Sequence, residues 1–162
     1  MRIYEKTFKN YGGSMKVSEK RMIAIEIAKQ FLGRPYTWGG DDPMRGFDCS
    51  GLAVELLKSV GVLPRRGDWT AQMLWNRFDN FGVMVSEPYW GCLVFWKSGG
   101  EIIHVEMCLN DELSIGASGG GSKVKTLEDA IKQNAFIKVR PFRSRSGLFG
   151  FVDPFLLPRR GA

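Results

Sequence analysis

Histidine is almost missing from this chain. Its 162 residues include one, His104. Any step that needs an imidazole near neutral pH must use it, and a histidine-rich metal site is excluded within one chain. Cysteine is scarce as well: Cys49, Cys92 and Cys108 are the whole supply. Three is too few, and odd, for a disulfide framework, so the thiols read as reduced, as in a chain made in the cytosol. No apolar run approaches the roughly 18 residues of a membrane span. The opening MRIYEKTFKNYGGSMKVSEK holds no apolar stretch, so neither a signal peptide nor an anchor is expected there. Internal repeats and long linkers are absent too, which leaves a single domain.

What is present is ordinary for a globular protein: 44% hydrophobic and 25% charged residues, against disorder, collagen-like repeats and a bare coiled coil. A domain of residues 16–157 is expected, between a polar tail at 1–15 and a short tail at 158–162. The net charge of +6 suits polyanionic neighbours but does not choose among nucleic acid, lipid headgroups and bacterial wall. The basic runs at residues 65–66, 140–145 and 159–160 read as solvated surface. No nucleic-acid recognition motif accompanies them, so a nucleic-acid partner is not expected.

Hydrophobic spacing predicts helices before strands. Ser18 caps a helix whose apolar face is Met22, Ile23, Ile25, Ala28, Phe31 and Leu32, and Gly33 stops it. A glycine- and proline-rich loop spans residues 34–48. A second helix runs from Cys49 to about Val60, and Asp68 is placed to cap a third carrying Met73, Leu74 and Phe78. Residues 91–96 and 102–109 read as strands joined by a turn at 98–100, with further strands at 113–117 and 136–142. Residues 118–122 are glycine-rich and read as flexible, 126–133 as a short helix, and 149–155 as the strand that closes the sheet edge. This order is that of an α+β domain.

Two of the thiols, Cys92 and Cys108, sit in apolar strand patterns and read as small buried hydrophobes. Cys49 differs. It opens a helix after a glycine-rich loop, where the dipole and unpaired N–H groups favour a thiolate. His104 lies mid-strand. Alternation places Val105, Met107 and Leu109 on a core face and His104, Glu106 and Cys108 on the other, read as looking over the helix layer. Cys108 is roughly 13 Å along the strand from His104, too far for proton transfer. Cys49 and His104 are therefore the candidate nucleophile and base of a cysteine hydrolase. Zinc wants paired spacings such as C-x₂-C, which Cys49, Cys92, His104 and Cys108 do not offer, so no metal or cofactor is expected. Trp38 and Trp69 fall in segments that border the expected cleft.

The stretch GRPYTWGGDDPMRGFDCSGLAVELLKSVGVLPR resembles the signature of the NlpC-type cell-wall cysteine peptidases: P-Y-x-[WY]-G-G, a variable loop, D-C-S-G, a helix, then L-P-R. GCLVFW and IIHVEMCLND resemble that family's second block. The resemblance covers roughly residues 24–117. It implies a papain-like α+β fold, the cysteine helix packed on an antiparallel sheet, with Cys49 as nucleophile and His104 as general base and then acid. It implies hydrolysis of amides in peptidoglycan stem peptides, typically γ-D-glutamyl to diamino acid; separately, the chain is expected to be a monomer. Tyr36 and Asp48 would border the substrate groove; Asp48 suits a free amine, and the Cys49 N–H, Tyr36 and Ser50 are the expected oxyanion and substrate contacts. The family's third polar residue, often His, falls here on Gly116, which has no side chain to orient an imidazole. Water, a carbonyl, Ser114, Ser118 or Glu106 are the candidates to replace it; without any, the chain would be a wall- or partner-binding relative. Glu106 stands where the family commonly has Gly, an exchange expected to narrow the groove or change the preferred stem peptide. With no leader expected, delivery to the wall by a phage, phage tail or lysis machinery, or by a secretion route, is the corresponding expectation.

Overall fold

The computed structural model describes residues 15–158; the expected tails at 1–15 and 158–162 lie almost wholly outside them. Helix α1 (Val17–Gln30) is followed by a small hairpin of β1 (Asp41–Asp42) and β2 (Gly46–Phe47). Helices α2 (Cys49–Ser59) and α3 (Ala71–Asn80) come next, and then β3 (Met84–Val85), β4 (Leu93–Ser98), β5 (Glu101–Cys108) and β6 (Leu113–Ser118). The chain ends through α4 (Leu127–Gln133), β7 (Phe136–Pro141) and β8 (Leu148–Val152). Six strands form one antiparallel sheet in the order β3-β8-β4-β5-β6-β7. The α+β class expected from the sequence is what is found.

The differences have local causes. The first helix is capped by Lys16, not Ser18, because Glu19 reaches back to the Lys16 N–H at 2.8 Å. Its buried stripe is narrow: Ala24, Ile25 and Ala28, with Met22 and Leu32 exposed and Arg21 buried in their company. Thr70, not Asp68, caps α3, accepting from the Met73 N–H at 3.2 Å. The strand read as an edge, β8, is interior; the edge is the two-residue β3, too short to show as a sequence pattern. Residues 118–122 are not a free loop. Ser118 ends β6, and Gly120 lies so close on the Tyr36 ring that a Cβ there would meet its Cγ at 2.4 Å.

The sheet has two apolar faces. Helices α1–α3 bury one of them: Leu52, Leu56, Leu57, Leu74 and Phe78 pack with Leu93, Phe95, Val105 and Met107. Each such side chain contributes about 1.5–3 kcal/mol on burial. The other face carries a smaller core of Cys92, Val94, Trp96, Cys108, Phe142 and Phe151. Cys92 and Cys108 are fully buried there, as their sequence context predicts. The β4–β5 hairpin turns on Gly99 and Gly100, both at positive φ, which fits a two-residue primed turn.

Candidate active site

Cys49 is placed by its cap and by a close backbone approach. Asp48 Oδ1 accepts from the Gly51 N–H at 2.7 Å and from Ser50 Oγ at 3.2 Å; Oδ2 accepts from the Gly39 N–H at 3.1 Å. One carboxylate thus caps α2 and fastens the preceding loop to it. Gly51 admits that loop: a Cβ there would stand 2.0 Å from the Gly40 carbonyl oxygen. Cys49 is the first helical residue and half-buried.

His104 sits opposite Trp96 in the β4–β5 register, rings 5.1 Å apart between centroids. It therefore shares the face of the smaller core, not the helix-covered face, which corrects the sequence reading. A bulge between Trp96 and Lys97 breaks the register beside it, and bulges sharpen strand twist locally. His104 lines a cleft of about 580 Å³ that also holds Cys49, Asp48, Ser50, Tyr36 and Arg145. Trp38 and Trp69 border it, as their positions suggested. Tyr36, Asp48, Cys49, Ser50 and His104, chosen from sequence, come together here. Gly116 is not among the lining residues.

The reason lies on the neighbouring strand. His104 Nε2–H donates to Glu106 Oε1 at 2.7 Å. Ser114 Oγ donates to Glu106 Oε2 at 2.6 Å, and Arg140 Nη2 donates to Oε1 at 2.7 Å. Glu106 is 1% exposed. It faces the histidine and is not among the residues that line the cleft, so it neither narrows the groove nor selects substrate by contact. A Cβ on Gly116 would lie 2.4 Å from Glu106 Cγ. Gly116 leaves the space, and the side chain of Glu106 fills it. Arg140 comes within 3.3 Å of Nε2, but a guanidinium only donates. The shorter contact to an ionised carboxylate therefore sets the tautomer: Nε2 carries the proton and Nδ1 is left as acceptor.

The protonation states follow from burial and partners. Burial works to raise the Glu106 carboxyl, but the hydrogen bond and charge of His104, and then Arg140, outweigh it and bring it down to about 2. Burial lowers His104 from its ordinary value, against the pull of Glu106, so the imidazole is neutral at neutral pH. Arg140 and the Nε2–H then hold Glu106 ionised. Burial, and next the adjacent Asp48, push the Cys49 thiol up to about 12. The thiolate expected from the helix start is thus not the resting form: enclosure of the sulfur outweighs the N–H groups of Ser50 and Val105 that favour it. Asp48 is itself raised by burial. Tyr36 is raised by burial and then by Cys49 and Asp48, so its hydroxyl keeps its proton and can donate.

Two residues of this site were read from sequence as surface. Arg140 anchors Glu106, and Arg145 lines the cleft. The signal for Arg140 was strand alternation in β7, which pairs it with Ser114; charge clustering obscured it. Among the described residues there is no group of three or more His, Cys, Asp or Glu placed to hold a metal ion. Nor is any described helix long and apolar enough to cross a membrane.

A model of the NlpC/P60 family matches residues 33–141. Murein DD-endopeptidase MepH of Escherichia coli K12 is 36% identical over 87 residues, 52% of this chain and 31% of that protein. The probable endopeptidase YafL of the same organism is 60% identical over 45 residues, 26% of this chain and 18% of its own. The chain thus spans about a third or less of these curated relatives. Among solved structures, the peptidoglycan hydrolase RipB of Mycobacterium tuberculosis is 28% identical with a TM-score of 0.63, over 85% of this chain and 65% of that one. The NlpC/p60 domain of the peptidoglycan hydrolase SagA is 27% identical with a TM-score of 0.57, over 82% and 97%.

Proposed function

Since this chain belongs to the NlpC/P60 family, with the family's papain-like fold, we propose that it is a cysteine peptidase hydrolysing amides in peptidoglycan stem peptides. Cys49 is the nucleophile and His104 the base. One observation carries this reading: the chain's only histidine lines the same cleft as the cysteine at the start of α2, with Nε2 held at 2.7 Å by a buried carboxylate and Nδ1 left to accept a proton.

The pair starts neutral. His104 Nδ1 takes the thiol proton as Cys49 Sγ attacks the scissile carbonyl carbon, which avoids a free thiolate in an enclosed site. The Cys49 N–H and the Tyr36 hydroxyl are the donors available to the oxyanion. The imidazolium returns its proton to the leaving amine as the C–N bond breaks and a thioester forms. Water, deprotonated by the same nitrogen, then releases the acid and restores the thiol. Glu106 is a positioning residue: it fixes the tautomer and stabilises the imidazolium between these transfers. The reading of an inactive wall-binding relative rested on Gly116, and Glu106 supplies the group that Gly116 cannot. The bond we propose is γ-D-glutamyl to diamino acid, with Asp48 facing the amine end of the stem.

Mass spectrometry of purified peptidoglycan digested by wild type, Cys49→Ala and His104→Ala tests this. The expected result is a new free amine on the diamino acid with wild type alone. Products that persist with Cys49→Ala overturn the assignment.

A further inference from the structure

Arg145 is a cation in the cleft without an anion. It follows a short 3-10 turn at Phe142–Ser144, is half-buried, and lines the cleft beside Cys49. Its guanidinium carbon stands 5.7 Å from the Trp96 ring centroid, a contact that restrains the side chain without neutralising it. Among the described residues no carboxylate lies within 4.0 Å of it, although Arg21, Lys29, Arg45, Lys132 and Arg140 all have such a partner. Glu106 is already engaged by His104, Ser114 and Arg140. The carboxylates that line the cleft, Asp41, Asp48 and Asp68, are all beyond ion-pair distance of it.

A half-buried guanidinium is costly to leave unpaired, and that cost is relieved when an anion enters. The charges that act on Arg145 locate the gap. Burial and then Arg140 disfavour its charged form, while Glu106, Cys49 and Tyr36 would favour it. It lines the same cleft as the nucleophile and the candidate oxyanion donor, where the atoms flanking a scissile amide must lie. Its planar fork matches a carboxylate in two parallel hydrogen bonds.

We propose that Arg145 is a specificity-determining residue that binds a free carboxylate on the substrate residue flanking the scissile amide. This rests on the hydrolase reading above. A glutamate joined through its side chain keeps its α-carboxylate a few atoms from the scissile carbonyl, so the proposal separates substrates with that group free from those with it amidated.

The test uses two synthetic stem peptides, identical except for an α-carboxylate or an α-carboxamide on that glutamate. Wild type is expected to favour the carboxylate by ~10- to 100-fold in kcat/KM, chiefly through KM. Arg145→Gln collapses that ratio, and Arg145→Lys keeps part of it. Binding of both peptides to Cys49→Ala, with and without Arg145→Gln, gives the same comparison without turnover. If nothing is cleaved but binding still depends on the carboxylate and on Arg145, the subsite stands and the hydrolase reading falls. Equal losses on both peptides in Arg145→Gln, with slower alkylation of Cys49, would assign the arginine to the thiol and overturn the proposal. A wild type indifferent to the carboxylate also overturns it.

Discussion

Among the described residues, two buried carboxylates each pair with an arginine, and the two networks end differently. Asp153 is fully buried and accepts from Arg21 Nη2 at 2.5 Å, Tyr89 Oη at 2.6 Å and the Phe155 N–H at 3.0 Å. Arg21 lies between the Tyr89 and Phe155 rings, 5.2 and 4.8 Å from their centroids. Every partner belongs to the fold, so this network closes on itself and ties α1 to the C-terminal turn. Glu106 is equally buried and also takes three donors, but one is His104, whose second ring nitrogen has no such partner among the described residues and which lines the cleft. The carboxylates are buried alike and the charges are the same, although Arg140 is more exposed than Arg21. What separates the two pairs is whether the chain of hydrogen bonds ends in protein or at an open cleft.

Breaking the two networks should produce opposite phenotypes. Arg21→Ala leaves a carboxylate uncompensated in the interior, and we expect a loss of ~3–5 kcal/mol in denaturant unfolding, with kcat little changed at temperatures where the protein stays folded. Glu106→Gln should do the reverse. Its amide can present N–H to Nε2 and favour the wrong tautomer, so kcat falls ~10²- to 10⁴-fold. The stability loss is smaller, because the Arg140 side chain is 21% exposed against 9% for Arg21 and can turn to water. Gly116→Ala sharpens the assignment. The added methyl collides with Glu106, so we expect ~10-fold in kcat and ~1–3 kcal/mol in stability. The double variant with Glu106→Gln should be less than additive in kcat.

The smallest effect is on pH dependence. Because burial holds His104 below its ordinary 6.5, the acid limb of kcat/KM should lie below 6.5, where imidazole protonation removes the base. Glu106 favours the imidazolium, so Glu106→Gln should move that limb to still lower pH. Stability moves in the same direction. Glu106 titrates at about 2 in the fold against 4.5 unfolded, so its contribution is whole above 4.5 and disappears as pH falls toward 2. His104, buried neutral, adds a loss that begins as pH falls below 6.5. Unfolding measured from pH 7 to pH 3 checks both signs.

Much of this was legible in the residues. A cysteine after a glycine-rich loop, one histidine in a strand and their family-like spacing pointed to two residues that line one cleft, because each depends on local chain chemistry. Cap choice at α1 and α3 was not legible, since several polar residues compete near each start and tertiary packing decides. The third group was among the candidates, Glu106 with Ser114, Ser118, water or a carbonyl, but the choice between them was not legible for a different reason. Position 116 looked like a loss because sequence shows only that glycine lacks a side chain; that Glu106 occupies the vacated space depends on the pairing of β5 with β6. Arg140 and Arg145 were masked by their basic neighbours, and only register and the cleft tell them apart.

In the proposed mechanism Glu106 acts through His104 on Cys49. The rate of iodoacetamide alkylation at Cys49, followed by mass spectrometry at pH 7, tests it most directly, since Cys92 and Cys108 are buried in the folded protein. We predict that Glu106→Gln slows alkylation at least ~10-fold while Asp153→Asn leaves it at the wild-type rate. Equal rates in Glu106→Gln and wild type, or an equal fall in both variants, would contradict the account.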